Sequence, residues 1–175
     1  MIRKICFLVK NFYYLKTNLV RRQAVNYSKA MNIGILIKNP DPNFNKDINE
    51  FVKGLIKDGK NIQIICFIDK DQNRLYDFNF VELTNHEIRW NGDFKQEKVN
   101  KFIKTEFDYL YSINISPFLP YENILLSSHA KFRIGYYFKN KRKLFELMVD
   151  LKPEEKIDML VRNMAVYTKK LESNE

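Results

Sequence analysis

Four residues have the type and the position to contact a small ligand: Asp69, Ser116, Lys131 and Arg133. Asp69 directly follows the apolar run Ile62–Ile68, interrupted only by Gln63. In doubly wound α/β proteins ligands bind outside the carboxyl ends of the strands, so an acid in that position faces the binding crevice. Asp41 and Ser116 follow apolar runs in a similar way. A turn-forming Asp that satisfies nearby backbone amides accounts for the same pattern without a ligand. Lys131 and Arg133 add two cations suited to a phosphorylated or nucleotide-like group.

Other chemistries lack their residues. His86 and His129 are the chain's two histidines and lie 43 positions apart, and no metal site is expected. His129 reads as a cap at a helix end, where it favours the dipole. Ser116, His129 and Asp108 supply the members of a hydrolytic triad on paper, but no G-x-S-x-G elbow presents the serine, and no catalytic residue is assigned. The loop NPDPNFN, residues 39–45, holds Pro40 and Pro42 and no glycine. A phosphate cradle there needs glycines for close backbone approach, and neither G-x-G-x-x-G nor a Walker-type lysine loop occurs, so no cofactor is expected.

Charge is the most uneven property of the chain. Its net charge is +9, and residues 1–30 carry Arg3, Lys4, Lys10, Lys16, Arg21, Arg22 and Lys29 without one acid, which leaves +2 for residues 31–175. Within this arm Ile5, Leu8, Phe12, Leu15 and Leu19 recur at spacings of three and four, the signature of one stripe on a helix. Arg3, Lys10, Thr17 and Arg21 fall on the opposite side. Two readings follow: the helix docks its stripe on the body, or on a copy of itself, and keeps its cations in water; or it is an interaction helix. In the second, Arg3, Lys4, Lys10, Lys16, Arg21 and Arg22 with Leu8, Phe12 and Leu15 meet a protein complex, RNA or an anionic membrane surface.

The elements that must position these groups alternate. Asn32–Lys38 and Asn61–Asp69 are apolar runs that suit strands buried on both faces. Lys46–Asp58 between them repeats Ile48, Phe51, Val52, Leu55 and Ile56 on one helical face and stops at Gly59. His86–Trp90 suggests a short third strand, and Phe94–Ile103 a second helix leading into the strand Phe107–Ile115. Pro117–Ser128 reads as a helix entered through proline, Lys131–Tyr137 as a strand and Leu144–Leu151 as an edge strand. Pro153 opens a terminal helix along Ile157, Leu160, Val161, Met164 and Leu171. Lys139–Lys143, with four cations in five residues, reads as a solvated hairpin tip or as a phosphate-binding patch.

These blocks, NIGILIK, GKNIQIICFID, FDYLYSINI and LSSHAKFRIGYY with LFELMVDL, resemble a family of small Bacteroidota proteins carrying a domain of unknown function, over about residues 30–170. The resemblance implies a Rossmann-like body behind a basic N-terminal helix. A second likeness, of pattern, is to the N-terminal half of heptosyltransferase-type glycosyltransferases. It rests on the strand ending in Asp69 and on an A-K-x-R-x-G-like turn at Ala130, Lys131, Arg133 and Gly135. Where those enzymes carry Gly-Asp after the first strand, this chain has Asn39 and Pro40.

The expected fold is a three-layer α/β, Rossmann-like sandwich with a largely parallel sheet of five to six strands, preceded by the basic amphipathic helix. Residues 1–30 form the arm and residues 31–175 one α/β domain that closes its own core. The two cysteines, Cys6 and Cys66, make no disulfide framework, and no apolar run spans a bilayer, so a cytoplasmic location is expected, with the inner membrane surface as the variant placement. The expected function is that of a non-enzymatic adaptor docking through the arm. The alternatives are a small-ligand module at the strand-end crevice and a degenerate glycosyltransferase-like enzyme.

Overall fold

The computed structural model describes residues 1–38, 45–68 and 76–171. Six strands form one all-parallel sheet: β1 (Asn32–Ile37), β2 (Asn61–Phe67), β3 (Val81–Leu83), β4 (Tyr109–Ile113), β5 (Phe132–Tyr136) and β6 (Leu147–Val149). Their spatial order is β3-β2-β1-β4-β5-β6, the order of a doubly wound Rossmann sheet. The helices are α1 (Ile2–Thr17), α2 (Asn45–Lys57), α3 (Glu97–Lys104), α4 (Leu119–Ser127) and α5 (Ile157–Lys169).

Alternation along each strand divides the core in two. Ile33, Ile35 and Ile37 of β1 join Ile64 and Cys66 of β2 and Tyr109, Tyr111 and Ile113 of β4 on one face. Ile48, Phe51, Val52 and Leu55 of α2 and Ile157, Leu160, Val161 and Met164 of α5 cover them. On the other face Leu36, Ile65, Phe67 and Leu110 meet Val99 and Phe102 of α3 and Tyr121, Ile124 and Leu125 of α4. Both faces being covered, the strands have no polar side to spare, which is why their sequences are near-continuous apolar runs. Gly59 ends α2 at φ +76, where its amide meets the Ile56 carbonyl at 2.9 Å and the Lys60 amide meets that of Leu55 at 3.1 Å.

Three elements differ from expectation. The third strand is Val81–Leu83, pairing Val81 with Ile65 and Leu83 with Phe67, whereas His86 sits in a 3-10 turn, Asn85–Glu87. A three-residue edge strand is shorter than any period can reveal, and the aromatic run Tyr76–Phe80 beside it masks the alternation. The final strand is shorter than the expected run because Leu144 and Phe145 turn into the core. The 139–143 turn joins two parallel strands rather than a hairpin, with a 3-10 turn at Arg142–Leu144. Gly135 is required here: a Cβ on it would lie 2.2 Å from the Phe145 ring, so the ring packs directly on the β5 backbone.

Residues 1–30 are laid against the body throughout. Asn18 donates to the carbonyls of Leu126 (2.7 Å) and Ser128 (3.1 Å), Gln23 pairs its amide with the Lys131 carbonyl at 2.9 Å, and the Tyr109 hydroxyl donates to the Val25 carbonyl. Ala30 is fully buried in the core.

Candidate functional site

The carboxyl edge of the sheet is the first place to look in this fold. Asp69 and Asp41, with Asn39 and Pro40, lie outside the described residues. Ser116 is exposed and held in a tight turn by Asn114, whose amide donates to the Ser116 carbonyl at 2.6 Å and whose oxygen accepts the Ser116 amide at 3.2 Å. Nearby, the buried Tyr121 hydroxyl closes the end of the β1–β2 ladder, donating to the Ile37 carbonyl (2.6 Å) and accepting the Phe67 amide (2.8 Å).

Lys131 and Arg133 do not join Ser116. Lys131 precedes β5 at the amino edge of the sheet and pairs with Asp108 at 2.8 Å. Burial opposes ionisation of Asp108, but the amides of Asn32 and Met31 and the Lys131 ammonium outweigh it and hold the carboxyl below its ordinary range. Arg133 is buried, forks onto Glu146 (2.7 and 3.0 Å), and donates to the carbonyls of Leu125 (3.1 Å) and Lys143 (3.0 Å). The A-K-x-R-x-G-like stretch is thus a packing device: Arg133 ties β5 to the 143–146 turn and Gly135 admits Phe145. His129 is exposed one residue past the Ser128 cap of α4, so the expected histidine cap is a serine. Among the described residues no group of three His, Cys, Asp or Glu converges on a metal position.

The arm offers a different geometry. α1 packs on α4 with the face opposite the predicted stripe. Phe7 is 3% exposed against Phe94, and Asn11 is 6% exposed with its oxygen accepting from Asn123 at 3.1 Å. Lys10 pairs with Asp93, which holds that carboxyl below its ordinary range, and Arg3 donates to Asn85 at 3.1 and 3.2 Å. Beyond the helix Arg22 donates to the carbonyls of Ala130 and Ser128, and burial, then the charge of Arg133, lowers its guanidinium to about 10.

The expectation that the stripe docks on the body is therefore corrected. Ile5, Leu8, Phe12 and Leu15 are 52, 50, 60 and 43% exposed, and Ile2, Val9 and Tyr13 widen the band at 64, 62 and 60%. At 3.6 residues per turn these side chains cover an arc of roughly 160° centred away from the body. Leu19, beyond the helix, is exposed too. The reason for the inversion is that the contacting 85–93 segment and α4 supply polar partners, Asp93, Asn85 and Asn123, which this side of α1 can satisfy and an aliphatic stripe cannot. Of the six cations assigned to partner binding, Arg3, Lys10 and Arg22 are thereby engaged within the chain, while Lys4, Lys16 and Arg21 are exposed.

Alongside the band runs a groove of about 490 Å³. Leu8, Phe12 and Leu15 wall it on one side, Leu126 and Leu144 on the other, and Lys139, Arg142 and Lys143 are exposed on its rim. Lys141 is held by Glu122. At its floor the Asn11 amide nitrogen is buried without a hydrogen-bond partner. The sequence separated this turn from α1 by more than a hundred positions, so their adjacency carried no signal; the breadth of the arc did, through Ile2, Val9 and Tyr13.

Fold and surface together define a doubly wound α/β domain that carries an outward-facing amphipathic helix. The chain belongs to a family of unknown function, DUF6913, whose profile matches residues 7–171 and so takes in most of α1 with the body. No curated protein and no solved structure matches the chain.

Proposed function

We propose that the protein is a non-enzymatic docking module, in which α1 attaches the α/β body to a macromolecular partner. The observation that carries this reading is the contiguous apolar band on α1, at least 43% exposed at every position from Ile2 to Leu15 named above. Single exposed apolar residues are ordinary, but a continuous apolar patch of this kind marks an interaction surface. The inward contacts support the same reading, because Phe7 and the ion pair of Lys10 with Asp93 fix the helix so that the band stays turned outward without a partner. Lys4, Lys16 and Arg21, with the rim of the 139–143 turn, give the partner an anionic character.

Sedimentation of a native lysate tests this. The wild-type chain is expected in a particle-bound fraction, and the Leu8→Asp/Phe12→Asp variant at the position of the free chain. Wild type that runs as a free chain under every salt condition contradicts the docking role.

A further inference from the structure

Resting on the docking role above, we infer that the partner of α1 is an anionic lipid bilayer, with the helix lying in the interface plane and the 139–143 turn on the headgroups. Four observations select this occupant. The exposed arc, roughly 160° wide, is broader than the seam a single partner helix covers, whereas a half-immersed helix buries an arc of that width. It is centred away from the body, with Ile5, Leu8, Val9 and Phe12 each at least half exposed. The band is chiefly aliphatic, which suits acyl chains and gives nucleic-acid bases little to stack on. Its surroundings are cationic, with Lys4 and Arg21 on the arm and Lys139, Arg142 and Lys143 across the groove, all exposed.

A second copy of the chain fits less well, because residues 1–30 contain no acid and a symmetric contact through this band sets cations against cations. Lys16 lies along the arc in the last turn of α1, its ammonium 4.3 Å from the centre of the Phe12 ring, and its four-carbon stem can carry the charge to the headgroup level while its methylenes stay in the apolar layer. Trp90, 74% exposed, sits in the loop that holds Lys10 and packs on Phe7, which places an interfacial aromatic close to the same helix. No helix among the described residues is long and apolar enough to cross a membrane, so the attachment is peripheral.

Flotation with sized vesicles of phosphatidylcholine, with and without phosphatidylglycerol, decides the matter. The full-length chain should float with the mixed vesicles and bind the neutral ones far more weakly. Each cation at an anionic surface contributes roughly fivefold in affinity, so Lys139→Glu/Arg142→Glu/Lys143→Glu should weaken binding by more than about tenfold and flatten its salt dependence. Phe12→Asp should weaken it by roughly tenfold or more, since the ring no longer enters the apolar layer. Circular dichroism and melting should be unchanged for both variants, because every altered side chain is exposed. Two results overturn the inference: no flotation of wild type on phosphatidylglycerol vesicles at low salt, or wild-type binding by Phe12→Asp, which reduces the contact to charge alone. If vesicles fail while the lysate fractionation still depends on Leu8 and Phe12, the bilayer is excluded and the docking role stands with an acidic protein surface as the occupant.

Discussion

The inward and outward faces of α1 divide one short helix into opposite environments. Inward, Phe7 is buried against Phe94 and Tyr14 packs half-buried on the same cluster, and three further contacts are polar: Arg3 on Asn85, Lys10 on Asp93, Asn11 on Asn123. Outward, seven apolar side chains stay at least 43% exposed. A surface helix ordinarily docks by its apolar side, because burial at about 25 cal/mol per Å² exceeds what a neutral hydrogen bond returns. Here a buried ring, a half-buried one and a set of position-specific polar contacts hold the helix, and the exposed apolar band is left unsatisfied. The difference teaches that orientation, rather than attachment alone, is what the inward contacts specify.

The largest effect should come from the two phenylalanines of α1. Phe7→Ala should destabilise the chain by about 3–5 kcal/mol, the usual cost of emptying a buried aromatic site, whereas Phe12→Ala should stay within about 0.5 kcal/mol of wild type. Urea denaturation of both variants measures the contrast; equal losses would mean that the two faces are not distinct. Next comes Arg22→Ala, which takes the side-chain donor from the Ala130 carbonyl and leaves the Ser128 carbonyl to Asn18, and should cost about 1–3 kcal/mol by the same measurement.

The smallest effect is pH-dependent. The Asp93 carboxyl is held below its ordinary range by Lys10, so its contribution is fully present above the unfolded-state value of about 3.9 and is lost as pH falls through the lower folded value. Lys10→Met should remove that part of the acid limb while costing no more than about 1 kcal/mol at neutral pH, since both partners are partly exposed. An acid limb identical in the two proteins would show that the pair does not hold α1.

Much of the body was legible in the sequence because period and punctuation agreed there: the runs at 32–38 and 61–69, the α2 stripe and Gly59 left little freedom. β3 was not legible, because three residues carry no period. Nor were the roles of Lys131 and Arg133, since a cation beside a strand looks alike whether it meets a ligand or, as here, Asp108 and Glu146. The α1 stripe was read correctly as a stripe, but its destination depended on Asp93, Asn85 and Asn123, which lie far along the chain and whose meeting with α1 only the fold decides.

Thiol accessibility tests the orientation of α1 most directly. In a Cys6→Ser background the remaining Cys66 is inert to maleimide, because it is buried and burial pushes its thiol up. A cysteine introduced by Phe12→Cys should then label in the folded protein at the rate of an exposed thiol, while one introduced by Phe7→Cys should label only after urea unfolding. Rapid labelling at position 7 with protection at position 12 in the purified chain would show that α1 docks by its apolar stripe and that no outward band exists to bind a partner.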